Sequence, residues 1–310
     1  MRAREQADVT VAVATVDRPD ALRRCLDAIL AGEVRPRELI VVDQGDDDRA
    51  ATLMRDREAA ETVMRYVRQE ARGLSASRNA GLVAANCRVV AFTDDDCVPS
   101  PGWIAAVARV FSAPNPPDAV TGPVLPLAGR RDGYAVSSRT SLERVDYVGR
   151  HPPWVVGTGA NLAVKRDLAA DIGGYDERLG VGTAGAAGED LDFLHRLLRA
   201  GALIRYEPDA LLYHELQSKQ RRRATRSTYG RGIGACCAIW LRDGDPYAVP
   251  LLGRWLVMRG RVFASATLRR DWERALEELL VFGGTARGLG YGVSLRRVSG
   301  RQRSGPLRLG

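Results

Sequence analysis

The sequence predicts an α/β fold on a mostly parallel sheet flanked by helices, followed by a basic helical extension. Three observations lead there. Short continuous apolar runs alternate with stretches of helical periodicity through the first hundred residues, which is the pattern of βα units. The runs close on polar, mostly acidic residues. The charge is also divided along the chain: residues 216–310 hold 19 basic and 6 acidic residues, a net of +13, whereas residues 1–215 hold 27 and 32, a net of −5.

Val9–Ala14 reads as a buried parallel strand closed by Thr15-Val16-Asp17-Arg18-Pro19. Asp20 to Leu30 follows as a helix, with Leu22, Cys25, Leu26 and Ile29 at helical spacing. Leu39–Val42 is a second strand, ended by Asp43-Gln44-Gly45. Residues 47–62 read as a helix, Val63–Arg68 as a third strand, and Ser75 as the cap of a helix to Ala85. Val89–Phe92 is a fourth strand, closed by Thr93-Asp94-Asp95-Asp96. Ligands in such sheets sit outside the carboxyl ends of the strands, so Asp17, Asp43 and Asp94–Asp96 should share one rim. Trp103–Phe111 reads as a helix and Ala119–Leu125 as a strand. Residues 128–154, rich in Gly, Arg, Ser and Pro, read as a long loop over the rim. Asn161–Val164, Ala202–Tyr206 and Ala210–His214 read as strands around the amphipathic helix Glu189–Ala200. A boundary between residues 217 and 218 separates this body from an extension that is helical to about residue 290 and then frays.

Of 310 residues, 45% are hydrophobic and 27% charged, which excludes collagenous, disordered and disulfide-scaffold classes. Five cysteines, with no C-x-x-C spacing, point to neither a zinc site nor a disulfide framework and suit a reducing compartment. The charged residues 1–8 hold no apolar segment of a secretory signal. The longest apolar run, Ala248 to Met258, is interrupted by Arg254 and falls short of the roughly 20 residues of a membrane span. A cytoplasmic location is expected. All but two of the 46 basic residues are arginines, which a GC-rich genome would also produce.

Four constellations carry chemistry. Asp94 and Asp96 end a strand one residue apart, where both can reach one hard divalent cation shared with a substrate's phosphates; the bland alternative is a solvated turn. A second triplet, Asp46–Asp48, opens a helix, where acids suit the N-terminus without further function. The loop and helix Gly73-Leu74-Ser75-Ala76-Ser77-Arg78-Asn79-Ala80-Gly81 offers an arginine and backbone N–H groups to an anion, or only a packing glycine to a neighbour. Glu189, Asp190 and Asp192 lie in the first turn of a helix after glycines 180, 182, 185 and 188. Either they complement the helix dipole or one of them serves as a general base beneath a loop able to close. His214 at a strand end is open between a metal ligand or phosphate contact and an ordinary histidine; His151 has no place in the pattern, and His195 sits on a packed or solvated helix face.

As a set, Val9–Arg18, Leu39–Gly45, Gly73–Gly81, Phe92–Pro99, Gly157–Arg166 and Gly188–Gly201 resemble the family 2 glycosyltransferases of the GT-A fold, over residues 8–215. The resemblance implies a Rossmann-like GT-A domain and a role for each matching position. Thr15 and Asp17 would line the nucleotide, Asp43 would hydrogen-bond the base, and Arg78 would lie near the donor pyrophosphate. Asp94 and Asp96 would hold Mg²⁺ or Mn²⁺, with His214 as a third ligand. Asp95, Gly159, Asn161 and Glu189 would lie on the substrate side, and Asp190 would be the general base of an inverting transfer. Gln44 departs from the second acid of the family's Val-Asp-Asp-Gly-Ser, which weakens the base contact. The Gln-x-x-Arg-Trp motif of processive synthases is absent, so transfer of a single sugar is expected.

The expected activity is therefore transfer from a nucleoside-diphosphate sugar, a UDP-sugar first, to a hydroxyl acceptor in cell-surface glycan or glycolipid synthesis. Two rivals are a sugar nucleotidyltransferase and a nucleic-acid-binding module using the basic tail. The first lacks a Gly-rich Arg/Lys signature near the N-terminus. The second lacks a recognisable motif and stands on an acidic body, so nucleic acid is not expected. The tail interleaves arginines with Leu251, Leu252, Trp255, Leu256, Val257, Val262, Leu276, Leu279, Leu280 and Phe282. It would either lie on an anionic membrane face, toward a lipid-linked acceptor, or pack on the catalytic domain.

Overall fold

A computed structural model describes residues 5–57, 62–127, 133–135, 139–295 and 307–309. The first units follow the pattern of the sequence: β1 (Glu5–Thr15), α1 (Pro19–Ala31), β2 (Val34–Asp43), α2 (Arg49–Arg55), β3 (Val63–Arg68), α3 (Leu74–Ala84) and β4 (Val89–Asp94). Then come β5 (Cys97–Pro99), α4 (Trp103–Phe111), β6 (Ala119–Thr121), β7 (Val124–Pro126), β8 (Val145–Tyr147), α5 (Pro153–Val156), β9 (Leu162–Lys165) and α6 (Arg166–Asp171). The body closes with α7 (Glu189–Arg199), β10 (Ile204–Tyr206) and β11 (Leu212–His214), and α8 (Lys219–Arg242), α9 (Ala248–Leu268) and α10 (Trp272–Ser294) form the extension.

Eight strands form one sheet in the order β3-β2-β1-β4-β9-β6-β10-β8, in which only β9 and β8 run against the rest. Side chains alternate across it as a pleat requires. Val9, Val11 and Val13 of β1 face α1 and α4 through Leu22, Leu26, Ile29, Trp103 and Val107. Ala12 of β1 joins Ile40, Leu82, Phe92, Tyr175, Phe193 and Leu197 on the other face. The register sets Thr15 beside Asp43 and Ala14 beside Asp94, so the acids that close the strands do share a rim.

Several expectations need correction. The helix after Asp46–Asp48 runs only over Arg49–Arg55. The expected cap Ser75 lies inside α3; Gly73, at φ +93°, is the residue before the helix, and the Ser75 hydroxyl donates to the Leu179 carbonyl at 2.7 Å. Ala119–Leu125 is two strands, because the chain leaves the large sheet after Thr121 and Val124–Pro126 enters a second sheet, β5-β11-β7. The stretch 128–154 is not simply a loop. Its described parts include β8, which pairs with β10 at the sheet edge rather than crossing the rim. Tyr134 also pairs with Gln217. Residues 128–132 and 136–138 of that stretch, the expected fraying over 296–306 and residues 1–4 lie outside the described residues. At 307–309 the chain is back on the body, where the Leu307 N–H donates to the Ala170 carbonyl at 2.9 Å.

In the extension, α8 and α10 pack backbone to backbone. A Cβ placed on Gly234 would fall 2.2 Å from the Thr285 carbonyl oxygen, and one on Gly288 2.1 Å from that of Arg231, so only glycine permits the crossing. α8 also seals against α7: the Trp240 indole donates to Asp192 at 2.8 Å, and His195 stacks on Trp240 and meets Asp245 at 2.7 Å. His195 is thus on a packed face. All five cysteines are buried free thiols. No helix among the described residues is long and apolar enough to cross a membrane.

Candidate active site

The acidic end of β4 is the centre of the rim. Asp94 accepts from Arg78 Nη2 at 2.9 Å, and the same guanidinium reaches Glu189 through Nη1 at 3.1 Å. Arg78 is only 4% exposed and lies over the Tyr175 ring, which is stacked in turn on Phe193. Burial works to discharge this arginine, but Asp94, Tyr175, Glu189 and Asp190 outweigh it and hold it charged. Glu189 answers in the other direction: burial, and then Asp190, push its carboxyl up to about 7 against the pull of Arg78.

Asp190, half-buried beside it, receives the Gly159 N–H at 3.0 Å on Oδ2 and the Leu191 N–H at 2.8 Å on Oδ1. A Cβ on Gly159 would fall 2.5 Å from Arg78 Nη1 and 2.9 Å from the Asp190 Cβ. Gly159 is therefore a close-approach residue, packed against both the arginine and the acid. The preceding glycine segment is held rather than free: the Leu74 N–H donates to Val181, the Tyr291 hydroxyl to Arg178, and the Cys236 thiol to Gly188.

Asp95 and Asp96 point elsewhere. Asp95 accepts from the Thr15 hydroxyl at 2.8 Å and pairs with Arg18 at 3.1 Å; burial pushes it up to about 7 against Arg18. Asp96 meets Arg18 Nη1 at 2.8 Å, Arg221 Nη2 at 3.7 Å and His214 Nε2 at 3.2 Å. The small sheet brings the histidine there, since β11 pairs antiparallel with β5 and sets His214 opposite Cys97. His214 Nδ1 lies 2.8 Å from the Glu215 carbonyl, which can only accept, so Nδ1 carries a hydrogen. That leaves Nε2 facing the Asp96 carboxylate at 3.2 Å, the placement of an imidazole, oriented by the Glu215 carbonyl, that could share a cation with that acid. Ligand atoms of Asp94, Asp96, Cys97 and His214 lie within 4.8 Å of one another. Two carboxylates and an imidazole suit Mg²⁺ or Mn²⁺, whereas burial keeps the Cys97 thiol protonated.

The residues expected to line the nucleotide also come together. Asp43 accepts from the Gly45 N–H at 2.8 Å and the Tyr66 hydroxyl at 2.9 Å. Asp17 is exposed, with φ +51°, and accepts from the Asp46 N–H at 3.2 Å. The departure at Gln44 has a structural use: its carbonyl accepts from the Arg72 and Gly73 N–H groups and its amide donates to the Gly73 carbonyl, pinning the start of α3.

Asn161 does not join this group. Its amide donates to the Pro123 and Ala210 carbonyls at 3.0 and 2.7 Å, and its oxygen accepts from the Trp103 indole at 3.1 Å. With both hydrogens spent in the core and 2% exposure, it cannot reach a sugar. Arg18 and Arg221 were not among the expected site residues. Arg18 could have been found in the Thr-x-Asp-Arg loop, but nothing local distinguishes Arg221 from the other arginines of the tail.

The family model described as "Glycosyl transferase family 2" matches residues 10–173, more than half of the chain. The chain belongs to glycosyl transferase family 2. Among curated relatives, the pre-mycofactocin glycosyltransferase of Mycobacterium tuberculosis is 27% identical over 239 residues, which are 75% of this chain and 48% of that protein. The glucosyl-dolichyl phosphate glucuronosyltransferase of Haloferax volcanii is 29% identical over 181 residues, 56% of this chain and 57% of that protein. The chain thus spans about half the length of these relatives. The mannosyltransferase PcManGT from Pyrobaculum calidifontis, solved with GDP-Man and Mn²⁺, superposes with a TM-score of 0.61 at 18% identity, over 93% of this chain and 89% of that one. TarS residues 1–349 from S. aureus, solved with UDP, gives 0.57 at 14% identity, over 92% and 89%. These likenesses show the GT-A fold expected of family 2.

Proposed function

We propose that the protein is an inverting glycosyltransferase that moves one sugar from a nucleoside-diphosphate sugar to a hydroxyl acceptor. One observation carries this reading: the buried Arg78 joins Asp94, on the metal side, to Glu189 and Asp190, on the acceptor side, in a single cluster. Asp94, Asp96 and His214 would hold Mg²⁺ or Mn²⁺, which neutralises charge on the departing diphosphate. Asp17 and Asp43 bind the nucleoside end, and Thr15 steadies Asp95 beneath it. Asp190 takes the proton of the acceptor hydroxyl as its oxygen attacks the anomeric carbon; the bond from that carbon to the diphosphate oxygen breaks, and the electron pair leaves with the nucleoside diphosphate. Gly159 and Glu189 position Asp190 for that transfer.

Solved structural neighbours carry GDP-Man or UDP, which supports a nucleotide-sugar donor, and a relative named for glucosyl-dolichyl phosphate supports a lipid-linked acceptor. The extension, residues 218–310, fits that acceptor as a peripheral membrane contact at the cytoplasmic face. Val249, Leu256, Val257, Leu268, Trp272, Leu276 and Leu279 are exposed on α9 and α10, among exposed Arg254, Arg261, Arg269, Arg270 and Arg274. Vesicles containing anionic lipid should bind the protein at low salt and release it at high salt; no binding at low salt removes the membrane contact.

A thermal-shift panel of UDP, GDP and dTDP, with and without Mn²⁺, tests the donor site. A nucleotide that stabilises the protein only with metal names the donor class. Asp190→Asn should cost about 10²- to 10⁴-fold in turnover while leaving nucleotide binding intact. Full activity in that variant would falsify the assignment of Asp190 as base.

A further inference from the structure

A nucleoside-diphosphate sugar brings two phosphate charges to the rim, and the arginine expected to meet them is spent. Arg78 is buried against Asp94, Glu189 and the Tyr175 ring and turns no free edge outward. Two other guanidinium groups stand at the acidic end of β4. Arg18 contacts Asp95 at 3.1 Å and Asp96 at 2.8 Å through the same Nη1, with its side chain 44% exposed. Arg221 lies 3.7 Å from Asp96, with its side chain 51% exposed. They come from distant parts of the chain, one directly before α1 and the other in the first turn of α8.

Building on the glycosyltransferase reading, we infer that Arg18 and Arg221 bind the donor's diphosphate and hold the Asp96 carboxylate only until metal and nucleotide arrive. The argument is one of charge and reach. His214 and the two arginines surround a carboxylate that also belongs to the group able to hold a divalent ion. An ion on Asp96 would sit beside two like charges and repel them. Their stems are long and half-exposed, so the guanidinium groups can turn outward without unfolding anything. A diphosphate drawn to that ion would present paired oxygens, acceptors that the planar guanidinium fork matches well. The backbone of each arginine is fixed meanwhile. The Arg18 carbonyl accepts from the Leu22 N–H at 3.0 Å, and the Arg221 N–H donates to the Ser218 hydroxyl at 3.2 Å. Arg221 thereby makes the extension part of the donor site.

The assignment predicts effects of opposite sign, which a structural role would not produce. Calorimetric titration of wild type, Arg221→Ala and Arg18→Ala with MnCl₂ alone, and then with UDP and GDP in saturating Mn²⁺, measures both. Each variant should bind Mn²⁺ alone at least as tightly as wild type, since a competing cation is gone. Each should bind the accepted nucleoside diphosphate roughly tenfold more weakly, the size of one charge-assisted hydrogen bond. Arg221→Lys, which keeps the charge, should recover part of the loss. Parallel loss of Mn²⁺ and nucleotide binding, or unchanged nucleotide affinity beside a wild type that binds, overturns the arginine assignment alone. A wild type that binds neither nucleotide with Mn²⁺ overturns the proposed donor chemistry as well.

Discussion

The body and the extension each bury a cluster of arginines and carboxylates, and the two clusters are balanced differently. In the extension Arg222, Arg226 and Arg259 close around Glu277 and Glu278, with Arg222 bidentate on Glu277 and Glu278 held by Arg226 at 2.9 Å and by Arg259. Arginines are in excess there. At the rim of the body, Asp94, Asp95, Asp96, Glu189 and Asp190 outnumber Arg18, Arg78 and Arg221. A cluster rich in arginine satisfies its buried acids and serves as a fastening between helices. One short of positive charge leaves carboxylates available to a cation or a proton, as the proposed function requires. The same chemistry makes a joint in one place and a candidate active site in the other.

The strongest way to break the comparison is at the fastening. Glu278→Ala leaves Arg226 and Arg259 beside an emptied position and should cost roughly 3–5 kcal/mol in denaturant unfolding. Mn²⁺ affinity of the folded protein should stay as it is. A variant that unfolds like wild type would show that the extension's cluster is not structural. Gly159→Ala probes the other side, because its methyl would press on Arg78 and Asp190. A displacement on the order of 1 Å there should lower turnover about 100-fold with a small change in stability. Unchanged turnover would mean that the Asp190 position is not critical.

The smallest expected effect is on pH. Glu189 is pushed up to about 7, above the ordinary carboxyl range, so its protonated form favours folding and the contribution is lost as pH rises through 7. Glu189→Gln mimics the protonated form. Between pH 5.5 and 8, wild type should therefore lose about 2 kcal/mol more stability than the variant. Equal slopes would remove Glu189 from the charge-crowded side of the comparison.

Much of this organisation is legible in the sequence because it is local. Val63–Arg68 and Trp103–Phe111 take the bounds that their apolar patterning predicts. The acids closing β1, β2 and β4 reach one rim because parallel strands bring their carboxyl ends together. The misses have a common cause in long-range pairing. Asn161 sits in a segment that resembles the sugar side, yet Pro123, Ala210 and Trp103, none of them near it in sequence, draw its amide into the core. Arg78 reads as a phosphate ligand until Glu189 is folded against it.

The sequence by itself determined the βα order, the acidic strand ends and the division between an acidic body and a basic extension, since each follows from residue type and short-range period. Only the tertiary structure decided which charges meet. His214 reaches Asp96 through a small sheet pairing strands more than a hundred residues apart, and Arg221 through the seating of α8. A charge acts over a few ångströms, whatever the separation in sequence, so the fold alone assigns arginines that read alike to a buried clamp, a helix fastening or the acidic rim.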